Sequence, residues 1–271
     1  MAAETVAFPL LAAGDHSPLL VDGLTYPRSF TFSDGSQAPL FTRGVVPAKG
    51  LKQVAKLTAE RIAARYGGQR LLVIQILEGA RTFAGMMLPC LEELRLAHGL
   101  CFEVATVQVR SYGQGSRASA HRILQPLRGL GGREVTECGA FDGVVLIDDL
   151  IDGGQTVAWL VRDYLPPFAV RGVSVCTMLE KDRLRSQAVD EVLSGCLLSA
   201  GRRVADEWLV GYGLDLALPG TGDIPDLHLF RQALSGGIYA FNSALEERLL
   251  AAYQTNPTDV RQQLGVYLSP A

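Results

Sequence analysis

An α/β fold built on a mainly parallel sheet is what this sequence predicts, and three observations carry that expectation. Apolar runs of strand length recur at LLVIQIL (71–77), FEVATVQVR (102–110), VVLIDD (144–149) and GVSVCTML (172–179). Segments with helical periodicity separate the first pair of runs and the last pair. The runs are mostly apolar instead of strictly alternating, as in strands covered on both faces, and strand–helix–strand units lay such strands parallel.

Each element follows from its residues. Residues 1–43 carry turn pairs (Asp22-Gly23, Asp34-Gly35) and little periodicity, and read as an N-terminal extension. LKQVAKLTAERIAARY (51–66) places Leu51, Val54, Ala55 and Ile62 on one helical face, with Thr58 between them, and stops at Gly67-Gly68. After the 71–77 run and Gly79, RTFAGMMLPCLEELRLAHG (81–99) reads as a helix interrupted near Pro89 and ended by Gly99. SYGQGSRASAHRILQPLRGLGG (111–132) is rich in Gly, Ser and Arg and reads as a mobile loop. QTVAWLVRDYL (155–165) is a helix closed by Pro166-Pro167, and FNSALEERLLAAYQ and DVRQQLGVYL suit two short helices near the C-terminus. In linear order this gives an extension over 1–43, a domain with a small hood over 44–224 and a helical extension over 225–271.

Composition narrows the function classes. The chain has 271 residues, 48% of them apolar and 20% charged, which fits one large globular domain with decorations. A formal charge of -3 speaks against a dedicated nucleic-acid binder. No apolar run reaches the ~18 residues of a spanning helix, and Glu4 and Asp15 break the opening segment, so a cytoplasmic protein with neither membrane nor nucleic-acid partner is expected. Five scattered cysteines without C-x-x-C spacing and four isolated histidines (His16, His98, His121, His228) predict neither a zinc site nor a disulfide framework. Cys101 and Cys176 fall in strand runs and read as small core residues.

The chemistry concentrates in one segment. A hydrophobic strand ends in Asp148 and Asp149, Asp152 follows, and Gly153-Gly154 opens a helix at Gln155-Thr156. Glycines let backbone N–H groups close on a phosphate at a helix start. The carboxylates suit sugar hydroxyls or a phosphate-bound magnesium. Acids and an anion cradle at the carboxyl end of a parallel strand point to a phosphorylated sugar. As plain structure, Asp152 would only cap the helix and the other two acids would form a solvated strand end.

VVLIDDLIDGGQTV (144–157) resembles the phosphoribosyl-diphosphate (PRPP) signature of type I phosphoribosyltransferases. DEWLVGYGLD (206–215), preceded by TMLEKD (177–182), is similar to the hood region of that family's hypoxanthine-guanine branch. LLVIQILEGA (71–80) resembles its pyrophosphate loop, and VRSYGQGS (109–116) its flexible catalytic loop. The resemblance implies that Asp148 and Asp149 face the ribose hydroxyls and Mg2+, and that Asp152 is the acid/base near purine N7. It implies that Gly153, Gly154, Gln155 and Thr156 hold the 5-phosphate, with Glu78 and Gly79 at the diphosphate. Lys181 would donate to the purine 6-oxo group, Trp208 would stack on the ring, and the Leu209 backbone would read its edge. Asp215 would help hold a magnesium, and Ser111 and Tyr112 would close over the reaction. His121 and Arg117, in the same loop, are candidate diphosphate contacts. The family commonly forms homodimers or homotetramers.

Lysine usage adds weight to Lys181: only four of the 25 basic residues are lysine, and the others stand at 49, 52 and 56. Trp208 alone would read as a core aromatic. Three positions depart from the branch: Glu78 stands where lysine is usual, Thr221 where arginine is usual, and Gly153 where threonine is usual. Arg231 lies too far along the chain to read as a replacement for the missing arginine. The expectation is a purine phosphoribosyltransferase taking PRPP and hypoxanthine or guanine. The alternatives are a regulator that binds PRPP or a nucleotide without turnover, and a transferase with another acceptor.

Overall fold

The computed structural model describes residues 19–21, 24–112, 120–135, 141–166, 168, 172–231, 234 and 236–268. Packing sorts the chain into two compact units: residues 52–206, and a terminal unit joining the segment up to Leu51 with Glu207–Ala271. Among the described residues no helix is long and apolar enough to cross a membrane.

In residues 52–206 one sheet runs Leu197–Ser199, Val173–Lys181, Gly143–Ile151, Arg70–Leu77, Cys101–Tyr112, Ala120–Gly129, with Arg202–Val204 also paired to Val173–Lys181. Every pairing is parallel except the last, between Cys101–Tyr112 and Ala120–Gly129. Leu71, Val73, Val145 and Ile147 are as buried as Leu72, Ile74, Val144 and Leu146, so both faces of the central strands are covered. That explains the unbroken apolar runs. Arg70–Leu77 has Cys101–Tyr112 on one side and Gly143–Ile151 on the other. The connections therefore diverge between Arg70–Leu77 and Gly143–Ile151, the switch point where an open α/β sheet leaves a crevice at its carboxyl ends.

Three expectations for this unit change. Residues 120–129, read as loop, form the antiparallel edge strand. Their burial alternates, with His121, Ile123, Gln125 and Leu127 more covered than Arg122, Leu124 and Arg128, and Pro126 is tolerated because an edge strand leaves one side unpaired. The helix Ala80–His98 runs through Pro89 without interruption. Pro89 and Gly85, four residues before it, are exposed, while Phe83, Ala84, Met87 and Leu91 anchor the opposite face. The loss of one hydrogen bond on the wet side is outweighed by that packing. Cys101 is exposed at the start of its strand, whereas Cys176 is buried, which pushes its thiol up to about 12.

The terminal unit pairs Phe41–Pro47 with Gly237–Phe241, and Gly237–Phe241 with Leu209–Val210, all antiparallel. Its core is strongly aromatic: Phe30, Phe41, Phe230, Tyr239, Phe241, Tyr253 and Tyr267 are all buried. The expected C-terminal helices are present as Glu246–Thr255 and Pro257–Leu264. Asn256 accepts from the Asp259 amide and Pro257 opens the second helix.

Candidate active site

Within residues 52–206 the switch point gathers most of the chemistry read from the sequence. Asp148 and Asp149 end the Gly143–Ile151 strand, and their side chains turn back on the backbone: Asp148 Oδ1 accepts from the Asp149 amide at 3.0 Å, and Asp149 Oδ1 from the Leu150 amide at 2.8 Å. Burial, and next the neighbouring Asp149 charge, hold the Asp148 carboxyl well above the usual carboxylate range. Two crowded carboxylates of this kind suit a hard divalent cation, which would relieve their repulsion. Among the described residues no group of three or more His, Cys, Asp or Glu forms a metal cage.

The adjoining loop is fitted to these acids. A Cβ on Gly79 would overlap Asp149 Oδ2, so a side chain here would force the Asp149 carboxylate aside. The Leu77–Glu78 peptide is cis. Arg81 forms a 2.9 Å ion pair with Glu78, so the acid found in place of lysine is compensated within the same turn. On the other side, Gly154 has φ 74°, and a Cβ there would press on Val189 and Leu193. Gly153 and Gly154 are buried, and Gln155 and Thr156 begin the helix Gln155–Trp159, which widens into a π-helix over Leu160–Tyr164.

Asp152 and Lys181 come together, with Lys181 Nζ 3.3 Å from Asp152 Oδ2. The Lys181 side chain is only 11% exposed. Sequence reasoning missed two partners. Arg183 donates to Asp152 Oδ1, and Asp206 faces both cations, 3.6 Å from Lys181 and 3.5 Å from Arg183. The hydrogen bond to Asp152 is what raises the Arg183 guanidinium above its ordinary value. Arg183 follows the end of the Lys181 strand, where its amide donates back to the Lys181 carbonyl at 3.0 Å in a tight turn. Asp206 opens the 206–215 motif, but no local pattern tied it to Lys181.

Ser111 and Tyr112 end their strand opposite His121 and Ala120. Their side chains, and all of Arg117, lie outside the described residues. His121 stacks on Trp159 at 5.2 Å, and Trp159 on Tyr164 at 6.1 Å.

In the terminal unit Trp208 is 41% exposed and not a core aromatic, and its carbonyl accepts from the Phe241 amide at 2.7 Å. Leu209 is buried and paired with Ala240. Asp215 Oδ2 is already engaged by Arg231 and by His228 Nδ1, the latter at 2.9 Å. Thr221 is exposed. Distance along the sequence thus did not keep Arg231 from this carboxylate.

A family model described as the phosphoribosyl transferase domain matches residues 47–215, more than half of the chain. The chain belongs to the phosphoribosyltransferase family. Its curated relatives place it with the hypoxanthine-guanine branch. This phosphoribosyltransferase is 33% identical over 157 residues to a hypoxanthine-guanine phosphoribosyltransferase of Mycobacterium avium, covering 57% of this chain and 66% of the relative. It is 30% identical over 178 residues to the Mycobacterium tuberculosis enzyme of the same name, covering 59% of this chain and 77% of that one. The bifunctional protein TilS/HprT of Listeria innocua is 28% identical over 169 residues, and the match spans 62% of this chain but 22% of that protein. The fold is shared with a hypoxanthine phosphoribosyltransferase from Staphylococcus aureus at TM-score 0.55 and 17% identity, covering 76% of this chain and 94% of that one.

Proposed function

We propose that this phosphoribosyltransferase is a magnesium-dependent purine enzyme of salvage, joining PRPP to hypoxanthine or guanine to give the nucleotide and diphosphate. The observation that carries this reading is the Asp152–Lys181 pair beside the glycine turn that follows the strand acids. A carboxylate and an ammonium side by side match the N7 and 6-oxo edge of a 6-oxopurine: one handles a proton, the other donates to a carbonyl. A 6-amino purine would present Lys181 with another donor.

In the reaction the C1–N9 bond forms as the bond from C1 to the diphosphate oxygen breaks, its electron pair leaving with diphosphate. The backbone of Gly153–Thr156 holds the 5-phosphate, and Asp148 and Asp149 take the ribose hydroxyls. The negative charge carried by the pair stabilises the positive charge that builds on the ribose ring. Asp152 takes the proton lost from the purine, while Lys181 steadies the charge pushed onto O6. Asp148 and Asp149 would hold a magnesium ion, which supplies charge neutralisation of the leaving diphosphate when bound. Asp215, held by Arg231 and His228, fits a positioning carboxylate better than an open metal ligand. The Arg81–Glu78 pair favours turnover over a regulator without chemistry, because it offsets the charge that would oppose diphosphate.

The test is product formation from PRPP, magnesium and each of hypoxanthine, guanine, xanthine and adenine, followed by chromatography. Nucleotide should form from the 6-oxopurines, and Asp152→Asn should lower kcat by ~10²–10⁴-fold, the usual worth of a general acid/base. No nucleotide from any base, with PRPP still bound, would leave the regulator reading.

A further inference from the structure

The four charges around Lys181 form a closed ring. Lys181 Nζ touches Asp152 Oδ2 at 3.3 Å and Asp206 Oδ1 at 3.6 Å. Arg183 donates through its terminal nitrogen to Asp152 Oδ1, and its Nε lies 3.5 Å from Asp206 Oδ2. Each acid therefore faces both cations, each cation faces both acids, and the formal charges cancel. The ring is built on paired backbone: Val173–Lys181 runs parallel to Arg202–Val204, with Lys181 opposite Val204, and the Asp182 amide donates to the Val204 carbonyl at 2.7 Å. This pairing fixes Asp206, two residues on, against the end of the Lys181 strand.

A ring of this kind solves a problem the proposed chemistry creates. Alone, a carboxylate and an ammonium at 3.3 Å satisfy each other, and a purine would have to break their contact to use either. Lys181 is nearly buried, so parting from its sole counter-ion would leave an almost unpaired charge out of water. With Asp206 present, Lys181 keeps one carboxylate when it turns to a carbonyl. With Arg183 on Oδ1, Asp152 keeps one cation while Oδ2 turns to the ring nitrogen.

We infer that Arg183 and Asp206 are positioning residues that hold Lys181 and Asp152 as separate donor and acceptor for the purine edge. This deepens the purine phosphoribosyltransferase reading and rests on it. Neither residue need touch the substrate. Either one removed alone unbalances the ring: without Asp206, Lys181 falls back on Asp152, and without Arg183, Asp152 is drawn onto Lys181.

The experiment compares wild type, Asp206→Asn, Arg183→Met, the double variant and Arg183→Lys, all checked for folding by circular dichroism. Steady-state rates are read against base and PRPP separately. Each single change should lower kcat/KM for the base by about tenfold with KM for PRPP unchanged, as small misplacements of reacting groups do. The double variant should be no worse than the worse single one, because the ring acts as a unit. Arg183→Lys should recover part of the loss, since one ammonium cannot fork between two carboxylates as a guanidinium does. Losses that multiply in the double variant, or KM for PRPP rising in step with that for the base, would overturn the inference. Calorimetric binding of guanosine 5′-monophosphate to the same proteins separates the two claims. A wild type that binds nucleotide without turnover, with the same non-additive pattern in affinity, removes the enzyme reading and keeps the ring. Turnover by wild type with additive losses in both assays removes the ring alone. A wild type that neither turns over nor binds overturns both.

Discussion

The two units reach stability by different routes. Residues 52–206 bury aliphatic strands on both faces of a parallel sheet, and their functional loops close on glycines at tight backbone approaches. The terminal unit has short strands and a core of aromatic rings, several with a hydroxyl tied to a distant carbonyl: Tyr267 donates to the Pro27 carbonyl and Tyr253 to the Pro225 carbonyl. Long regular strands specify themselves through periodicity and ladder pairing. A unit assembled from remote segments needs large side chains that reach across its core, each covering much area at once.

That contrast breaks most sharply at Tyr267, which packs against Tyr26, Phe41 and Phe230. Tyr267→Ala should cost about 3–5 kcal/mol, the range for deleting a buried aromatic, measured by urea unfolding. Hydrogen exchange should quicken in Gly237–Phe241 before it does in Gly143–Ile151. Equal quickening in both strands would show that the units unfold as one and would end the comparison.

A smaller effect is expected from a glycine of the sheet unit. Gly154→Ala forces a side chain into φ 74° and against Val189 and Leu193. A destabilisation of about 1–3 kcal/mol is expected, with KM for PRPP rising because the phosphate turn is displaced. An unchanged KM would mean that the turn does not hold the phosphate.

The smallest effect tests the aromatic ladder of the sheet unit. Burial lowers the His121 pKa, against the opposing charge of Asp163. The folded form therefore binds its proton later than the unfolded chain, whose histidines titrate near ~6.5. Stability from this group is present above that pH and falls as the pH drops through the unfolded value towards the folded one. His121→Gln should narrow the gap in Tm between about pH 7.5 and 5.5. A wider gap in the variant would show that protonation strengthens the stack on Trp159.

These regions also differ in how far their sequence could be read. The strands 70–77, 143–151 and 173–181 were legible because burial on both faces leaves an unbroken apolar run, and Asp148, Asp149 and Asp152 were legible because a strand end and a glycine turn are local. The edge strand 120–129 was not, since one exposed face and Pro126 make it read as loop. Phe41–Pro47 pairs with Gly237–Phe241 far along the chain, across the whole of residues 52–206, and no local pattern announces such a pairing. The site divides the same way. Asp152 and Lys181 carried motifs, whereas the contacts of Asp206 with Lys181 and of Arg231 with Asp215 exist only once the chain has folded.

One consequence of the divided terminal unit concerns the order in which a ribosome releases the chain. Residues 52–206, with every strand of the parallel sheet, emerge before Trp208, Gly237–Phe241 or Tyr267 exists. The central sheet can assemble during translation, while the apolar side chains of the first segment, Phe30 and Phe41 among them, wait exposed for partners made last. Slow synthesis would therefore threaten the beginning of this protein more than its middle, and a holding chaperone would find its natural target there.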